Sequence, residues 1–178
     1  MTVMVHTSRQ PIDLGPLSDF GQLAVSLLTA VHVETPVQAM RSQLEQIPAS
    51  AVADVEGALL ILVRLLQDRA ARRAASRAAQ GETVTLSARM TREIGDSLGG
   101  EARVKLITAD LEELLVAWGA DDRSVEPLAE RYARRWAQDG LHQLALTTAA
   151  LLPAGDAAWE DLGWAVHQLI ELEGHRRR

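Results

Sequence analysis

Four arginines stand close together in the stretch DRAARRAASRAAQG, which runs from residue 68 to residue 81. A guanidinium group donates two parallel hydrogen bonds to a phosphate, so several arginines on one helix face are a candidate anion site. At 100° per residue the four fall on one side of a helix and alanines occupy the other side. These observations raise the hypothesis of an anion-binding face made of Arg69, Arg72, Arg73 and Arg77.

The charge of the whole chain favours another role for these arginines. The formal net charge is −6, whereas a general nucleic-acid-binding domain is normally basic. No aromatic residue stands between the arginines to stack on unpaired bases. We therefore expect the cluster to pair with the chain's own acidic groups or to face solvent. Nucleic acid is not an expected partner.

Acid–base chemistry would need histidines and carboxylates that converge. Asp139 and His142 stand three residues apart, and His167 shares one face of a predicted helix with Glu160 and Glu171. A polar outer helix face is the ordinary explanation of the second pattern. Asp139, His142 and His167 are nevertheless the first catalytic candidates. Neither serine nor glycine spacing matches a nucleophile elbow or a phosphate loop, so no nucleotide cofactor is predicted.

A metal centre is not predicted either. Metal sites in helical bundles typically use Glu-x-x-His motifs on two helices, and the chain contains no such motif. The chain also has no cysteine, which excludes thiolate zinc sites, cysteine nucleophiles and disulfides. The absence of cysteine fits a reducing compartment, and we expect a cytoplasmic protein.

Aromatic residues are concentrated in the second half of the chain, where five of the six occur. Tryptophan and tyrosine contribute strongly to ligand pockets and to protein interfaces, although packing at helix crossings explains them equally well. The five residues are therefore candidates for a pocket wall or a dimer interface: Trp118, Tyr132, Trp136, Trp159 and Trp164.

The elements that would position these residues are predicted to be helices throughout. Apolar residues recur at i, i+3, i+4 and i+7 between proline and glycine breaks, which is the pattern of one-sided helices. The segment GALLILVRLL is apolar on nearly every face and indicates a long central helix over about residues 49–80. Between residues 125 and 152 the apolar face rotates at Asp139-Gly140, which predicts two helices or one sharply kinked helix. The sequence thus predicts an all-α bundle of about seven or eight helices.

The domain division follows from the same pattern. We expect an N-terminal arm over residues 1–15, a single helical domain over 16–174 and a basic tail over 175–178. The longest apolar run, Ala58 to Val63, is much shorter than the roughly 20 residues that span a membrane, and no signal-peptide pattern is present.

Two classes of function remain. The first is a helical association module without assignable chemistry, working as a homodimer through the aromatic helices or the central helix. The second is a small-molecule-binding or catalytic domain with a pocket among the aromatic residues. Anion binding by the arginine face is a lesser third alternative. Whether the protein is an enzyme stays open at this point.

Overall fold

The computed structural model describes residues 4–5, 12–33, 35–78, 100–120 and 122–177. Two-residue strands, β1 (Met4–Val5) and β2 (Ile12–Asp13), pair antiparallel ahead of the first helix. The remaining regular structure is helical: α1 (Asp19–His32), α2 (Val37–Glu45), a 3-10 turn (Ala49–Ala51), α3 (Val52–Ala78), α4 (Glu101–Gly119), α5 (Val125–Ala149) and α6 (Asp156–Arg176).

The predominance of helix confirms the predicted all-α class. The helix count differs from the prediction, because six α-helices are found within the described residues rather than seven or eight. One predicted helix, over residues 85–98, lies outside the described residues. The segment between residues 125 and 152, predicted as two helices or one sharply kinked helix, forms the single kinked element α5.

Helix α3 packs against α1, α4, α5 and α6. It begins at Val52 rather than near residue 49, because Pro48 leads into the 3-10 turn before the regular helix starts. Burial of its apolar side chains on several faces provides a large part of the core, since each fully buried aliphatic side chain contributes about 1.5–3 kcal/mol. The buried residues are Val52, Val55, Ala58, Leu59, Leu60, Leu62, Val63 and Leu66.

The first and last helices are joined at the start of α1. Ser18 caps α1 by accepting a hydrogen bond from the backbone N–H of Gly21 at 3.1 Å. The carboxylate of Glu173, near the end of α6, accepts hydrogen bonds from the Ser18 backbone N–H at 2.7 Å and from the Ser18 hydroxyl at 2.6 Å. A negative charge near a helix N-terminus is stabilising because the helix dipole places a partial positive charge at that end.

The kink in α5 lies at Ala137, which has φ 48° and ψ −129°. The sequence predicts the break at Asp139-Gly140, where a glycine can take a left-handed turn, and this position was wrong because Gly140 has no positive φ. Gly140 is needed for close packing instead. A Cβ added there would lie 2.9 Å from Cε1 of Tyr132 and 2.9 Å from Cβ of Trp136. Tyr132 also donates a hydrogen bond of 2.8 Å to the Gly140 carbonyl, so the tyrosine ring is fixed across the kink.

Candidate functional site

Helix α4 is held against α5 by a row of ion pairs. Residue numbers rise along α4 as they fall along α5, so the two helices run antiparallel. The pairs join Glu113 to Arg131 at 2.5 Å, Asp110 to Arg135 at 3.0 Å and Arg103 to Asp139 at 2.9 Å. Exposed pairs of this kind contribute little stability individually, but they fix which face of α4 turns toward the bundle.

A neighbouring face of α4 carries an exposed row of residues at alternating spacings of four and three, and Glu113 belongs both to this row and to the ion pair with Arg131. That spacing keeps side chains on one helix face and is the a/d pattern by which two helices pack together. Among the described residues, Val116 and Leu106 are the most exposed large apolar side chains, at 73% and 54%. We call this row the α4 outer stripe; it comprises Ala102, Leu106, Ala109, Glu113 and Val116.

Opposite charges flank the α4 outer stripe on one side. Lys105 lies in the N-terminal half of the helix and Glu112 in the C-terminal half, and both are exposed. Lys105 forms an ion pair of 2.9 Å with Glu101, and its hydrogen bond holds the pKa of Glu101 below the usual value. Because both partners are well exposed, this pair can exchange at little cost in free energy.

A second candidate site is a groove of about 260 Å³ between α2 and the part of α5 that follows the kink. Its polar wall is formed by Arg41 and Glu45 from α2 and by Gln138, Asp139 and His142 from α5. The side-chain amide of Gln138 donates a hydrogen bond of 2.9 Å to the Ile47 carbonyl, which fixes α5 to the end of α2 at this point. The groove is smaller than most drug-sized ligand pockets.

His142 is the most unusual residue of this groove. Its side chain is only 6% exposed, although it lines the groove. Burial is the main reason that the pKa of His142 is lowered to about 4; Asp139 opposes this shift and the positive charge of Arg41 adds to it. The imidazole is therefore neutral at pH 7, with one donor and one acceptor nitrogen.

The structure brings two of the three catalytic candidates together. Asp139 and His142 line the groove one helical turn apart. His167 does not join them. It lies on the exposed face of α6, where its Nε2 is 3.4 Å from the carboxylate of Glu171. The outward polar face that the sequence pattern indicates for α6 is therefore present, and it carries His167 away from the groove.

The five C-terminal aromatic residues make separate sets of contacts. Tyr132 and Trp136 are buried on consecutive turns of α5, and Trp136 Nε1 donates a hydrogen bond of 2.8 Å to Asp110. The ring of Trp159 meets His32 edge-on, with centroids 5.2 Å apart.

Trp118 and Trp164 occupy two further environments. Trp118 lines another groove, of about 400 Å³, with Phe20 and Glu173, and its buried Nε1 has no partner among the described residues. The guanidinium carbon of Arg69 lies 4.8 Å from the ring centroid of Trp164. This contact accounts for a tryptophan on the polar side of α6.

The arginine cluster is partly used inside the protein. Arg69 Nε and Arg73 Nη2 both contact Oδ1 of Asp161, at 2.6 Å and 2.5 Å, and Asp161 is 1% exposed. These contacts tie the distal half of α3 to α6, in keeping with the expected pairing with acidic groups. Arg72 is exposed, and the side chain of Arg77 lies outside the described residues.

Sequence reasoning missed Glu56, which is 1% exposed near the start of α3. Neither of its carboxylate oxygens has a hydrogen-bond partner among the described residues. Burial raises the pKa of Glu56 to about 8, so the side chain is mainly protonated at pH 7. Burial also raises the pKa of Tyr132, and the neighbouring carboxyl groups of Glu56 and Asp110 raise it further. The sequence pattern could have shown that Glu56 is buried, because this residue interrupts a row of apolar residues on one helix face. The row consists of Val52, Val55, Leu59 and Val63.

No described cluster of three or more histidine, aspartate or glutamate residues is arranged to hold a metal ion. None of the helices in the described ranges combines the length and the apolar character needed to cross a membrane. No family model, curated protein or solved structure matches this chain. The two candidate sites are therefore defined by their own geometry: the α4 outer stripe and the His142 groove.

Proposed function

We propose that the protein is a helical association module that forms a homodimer through the α4 outer stripe. The proposal is based on one observation: exposed side chains follow the a/d spacing along a helix whose other face is already packed against α5. Large apolar side chains exposed at such spacing are typical of helices that bury them against another helix. A cytoplasmic protein without cysteines would use a non-covalent interface of this kind.

The flanking charges favour a second copy of the chain in the antiparallel orientation. In that arrangement, Lys105 of one copy faces the C-terminal half of α4 in the other copy, where Glu112 lies. Two-fold symmetry produces the same contact twice. A parallel pair would instead place Lys105 against Lys105 and Glu112 against Glu112, which is unfavourable.

The small area of a single helix face limits the expected affinity of the dimer. Stable interfaces usually bury about 1,200–2,000 Å² in total, and one pair of helices lies at or below the lower end of that range. We therefore expect a weak dimer with a dissociation constant in the micromolar range. The aromatic residues of the second half contribute indirectly, because Trp136 and its ion-pair neighbours hold α4 in place.

Sedimentation equilibrium across the micromolar concentration range tests the proposal. The wild-type chain should shift from monomer to dimer, and Val116→Glu should remain monomeric. Val33→Glu is the matched control, because Val33 is 52% exposed but lies beyond the end of α1. A wild-type chain that stays monomeric at the highest concentration would refute the proposal, as would equal effects of the two variants.

A charge exchange tests the orientation. Lys105→Glu and Glu112→Lys should each weaken the dimer, because each places like charges opposite each other in the antiparallel pair. The double variant should restore the dimer, because the attraction returns with its sign reversed. If the double variant is weaker than either single variant, the antiparallel arrangement is wrong.

Anion binding through the arginine face has less support. Asp161 already neutralises part of the charge of Arg69 and Arg73, which leaves Arg72 as the exposed cation among the described members of the cluster. A phosphate-binding face would show an affinity that falls steeply with salt, with a log–log slope of about −0.9 for each phosphate contact on duplex DNA.

A further inference from the structure

The groove of about 400 Å³ that Trp118 lines is bounded by residues of α1, α3, α4, α5 and α6. We call it the Trp118 groove. Helix α3 presents small residues to it, namely Ala53, Gly57 and Ala58. A Cβ added at Gly57 would meet no atom of a neighbouring element within 4 Å among the described residues. The groove is therefore open down to the backbone of α3 at this point, and its volume is within the range of small-molecule sites.

Trp118 brings an unpaired hydrogen-bond donor to this groove. Its Nε1 is buried and has no acceptor among the described residues. Buried polar groups in native proteins almost always have a hydrogen-bond partner, and those that lack one need an explanation. An indole nitrogen can only donate, so the missing group is an acceptor. A ligand with an oxygen acceptor would supply it.

The charged residues of the lining do not favour a ligand with a net charge. Both carboxylate oxygens of Glu173 already accept hydrogen bonds from Ser18. Asp54 and Arg176 are exposed and opposite in sign. A ligand of either charge would be attracted by one of these two side chains and repelled by the other.

We infer that the Trp118 groove binds a small uncharged apolar molecule with one carbonyl oxygen, such as an aromatic ketone. The carbonyl oxygen would accept a hydrogen bond from Trp118 Nε1. The hydrocarbon part would lie against the apolar lining, which includes Phe20, Ile61, Val125 and Leu169. Burial of that hydrocarbon provides the affinity. The hydrogen bond provides the preference for a carbonyl, because a molecule without an acceptor leaves the donor unpaired.

NMR titration of the isotope-labelled full chain with acetophenone tests the inference. Acetophenone should bind at millimolar concentration and move the indole N–H proton signal of Trp118 downfield, because that N–H gains an acceptor. Trp118→Phe identifies this signal among those of the four tryptophans.

Three related probes test the chemistry of the ligand. Ethylbenzene has nearly the shape of acetophenone without the acceptor, and benzoate and benzylamine each carry one charge. All three should bind at least about threefold more weakly than acetophenone, which is the preference expected from one hydrogen bond. If acetophenone does not bind, or if any of the three probes binds as tightly, the inference is wrong.

Variants then place the binding in this groove. Gly57→Leu fills the open floor with a side chain, and leucine also favours a helix more than glycine does. Gly174→Leu is the matched control, because Gly174 is equally open among the described residues but does not line the groove. Acetophenone affinity should fall at least about tenfold in Gly57→Leu and stay unchanged in Gly174→Leu. In Trp118→Phe the preference for acetophenone over ethylbenzene should disappear.

Circular dichroism of each variant shows whether the fold is retained. Should Gly57→Leu fail to fold, the Trp118→Phe result decides alone, and a preference for acetophenone that persists in that variant would overturn the inference. Binding is independent of the proposed dimer, because Trp118 lies about 200° around α4 from Val116, and sedimentation measures the dimer separately.

Discussion

Replacing Glu56 with glutamine should change how the stability of the protein depends on pH. The carboxyl group is buried without a hydrogen-bond partner among the described residues, and its pKa in the folded protein is about 8 instead of 4.5. The folded state therefore holds a proton that the unfolded state releases more readily. The contribution of Glu56 to the free energy of unfolding is largest below pH 4.5 and falls as the pH rises toward 8.

The size of the effect follows from the difference in pKa. Each pKa unit corresponds to about 1.4 kcal/mol, so ionisation of Glu56 costs about 5 kcal/mol in total and about 3 kcal/mol at pH 7. His142 acts in the opposite direction, because its folded pKa is lowered from 6.5 to about 4. The contribution of His142 to the free energy of unfolding is fully present above pH 6.5 and is lost as the pH falls toward 4.

The two residues together predict a specific profile. Between pH 4.5 and 6.5 their effects nearly cancel, and between pH 6.5 and 8 the free energy of unfolding of the wild-type protein should fall by about 1 to 2 kcal/mol. Glu56→Gln removes the titrating group while keeping its shape. The variant should therefore have constant stability over that upper interval and exceed the wild type by several kcal/mol at pH 8.

Urea denaturation at half-unit pH steps, followed by circular dichroism, measures these free energies. Glu130→Gln provides the matched control, because Glu130 is an exposed glutamate on α5, and its profile should follow that of the wild type. Parallel profiles for wild type and Glu56→Gln between pH 6.5 and 8 would show that Glu56 is not a buried neutral acid.

Three further substitutions can be measured by the same denaturation assay. Gly140→Ala should destabilise the protein by about 1–3 kcal/mol, because the new Cβ meets the Tyr132 ring at 2.9 Å; an unchanged midpoint would contradict this packing. Ala137→Gly should stabilise it by about 1 kcal/mol, because glycine relieves the positive φ, whereas the matched Ala133→Gly in regular helix should cost about 1 kcal/mol. Asp161→Ala should cost about 3 kcal/mol, because it removes the buried partner of two arginines, and a loss below 1 kcal/mol would show that these contacts contribute little.

Much of the helical architecture could be predicted from the spacing of apolar residues and from proline and glycine. The predicted start at Val125 and the break within α5 are both found, because local periodicity and turn residues determine them. The irregular residue was misplaced by three positions. Glycine is the usual left-handed residue, yet here the positive φ falls on Ala137, and Gly140 is needed because tertiary packing brings Tyr132 against it.

The candidate sites could be predicted only in part. Asp139 and His142 were candidates because they stand three residues apart, although the predicted break lies between them, and the structure places both on the wall of one groove. Their partners on α2 could not be identified, since the contact between α2 and α5 depends on the angle of the kink. The distribution of the aromatic residues over separate contacts depends in the same way on how the helices cross.

The contact between Ser18 and Glu173 has a consequence for synthesis on the ribosome. The partners are 155 positions apart, so the first helix of the domain is made long before the residue that binds its cap has emerged. Until then the N-terminus of α1 lacks its bonds to Glu173 and has only the cap hydrogen bond between Ser18 and Gly21, and isolated helices of this length are marginal in water. The nascent chain should therefore stay open to chaperones and proteases until α6 has left the exit tunnel, and the domain should close late, as a unit.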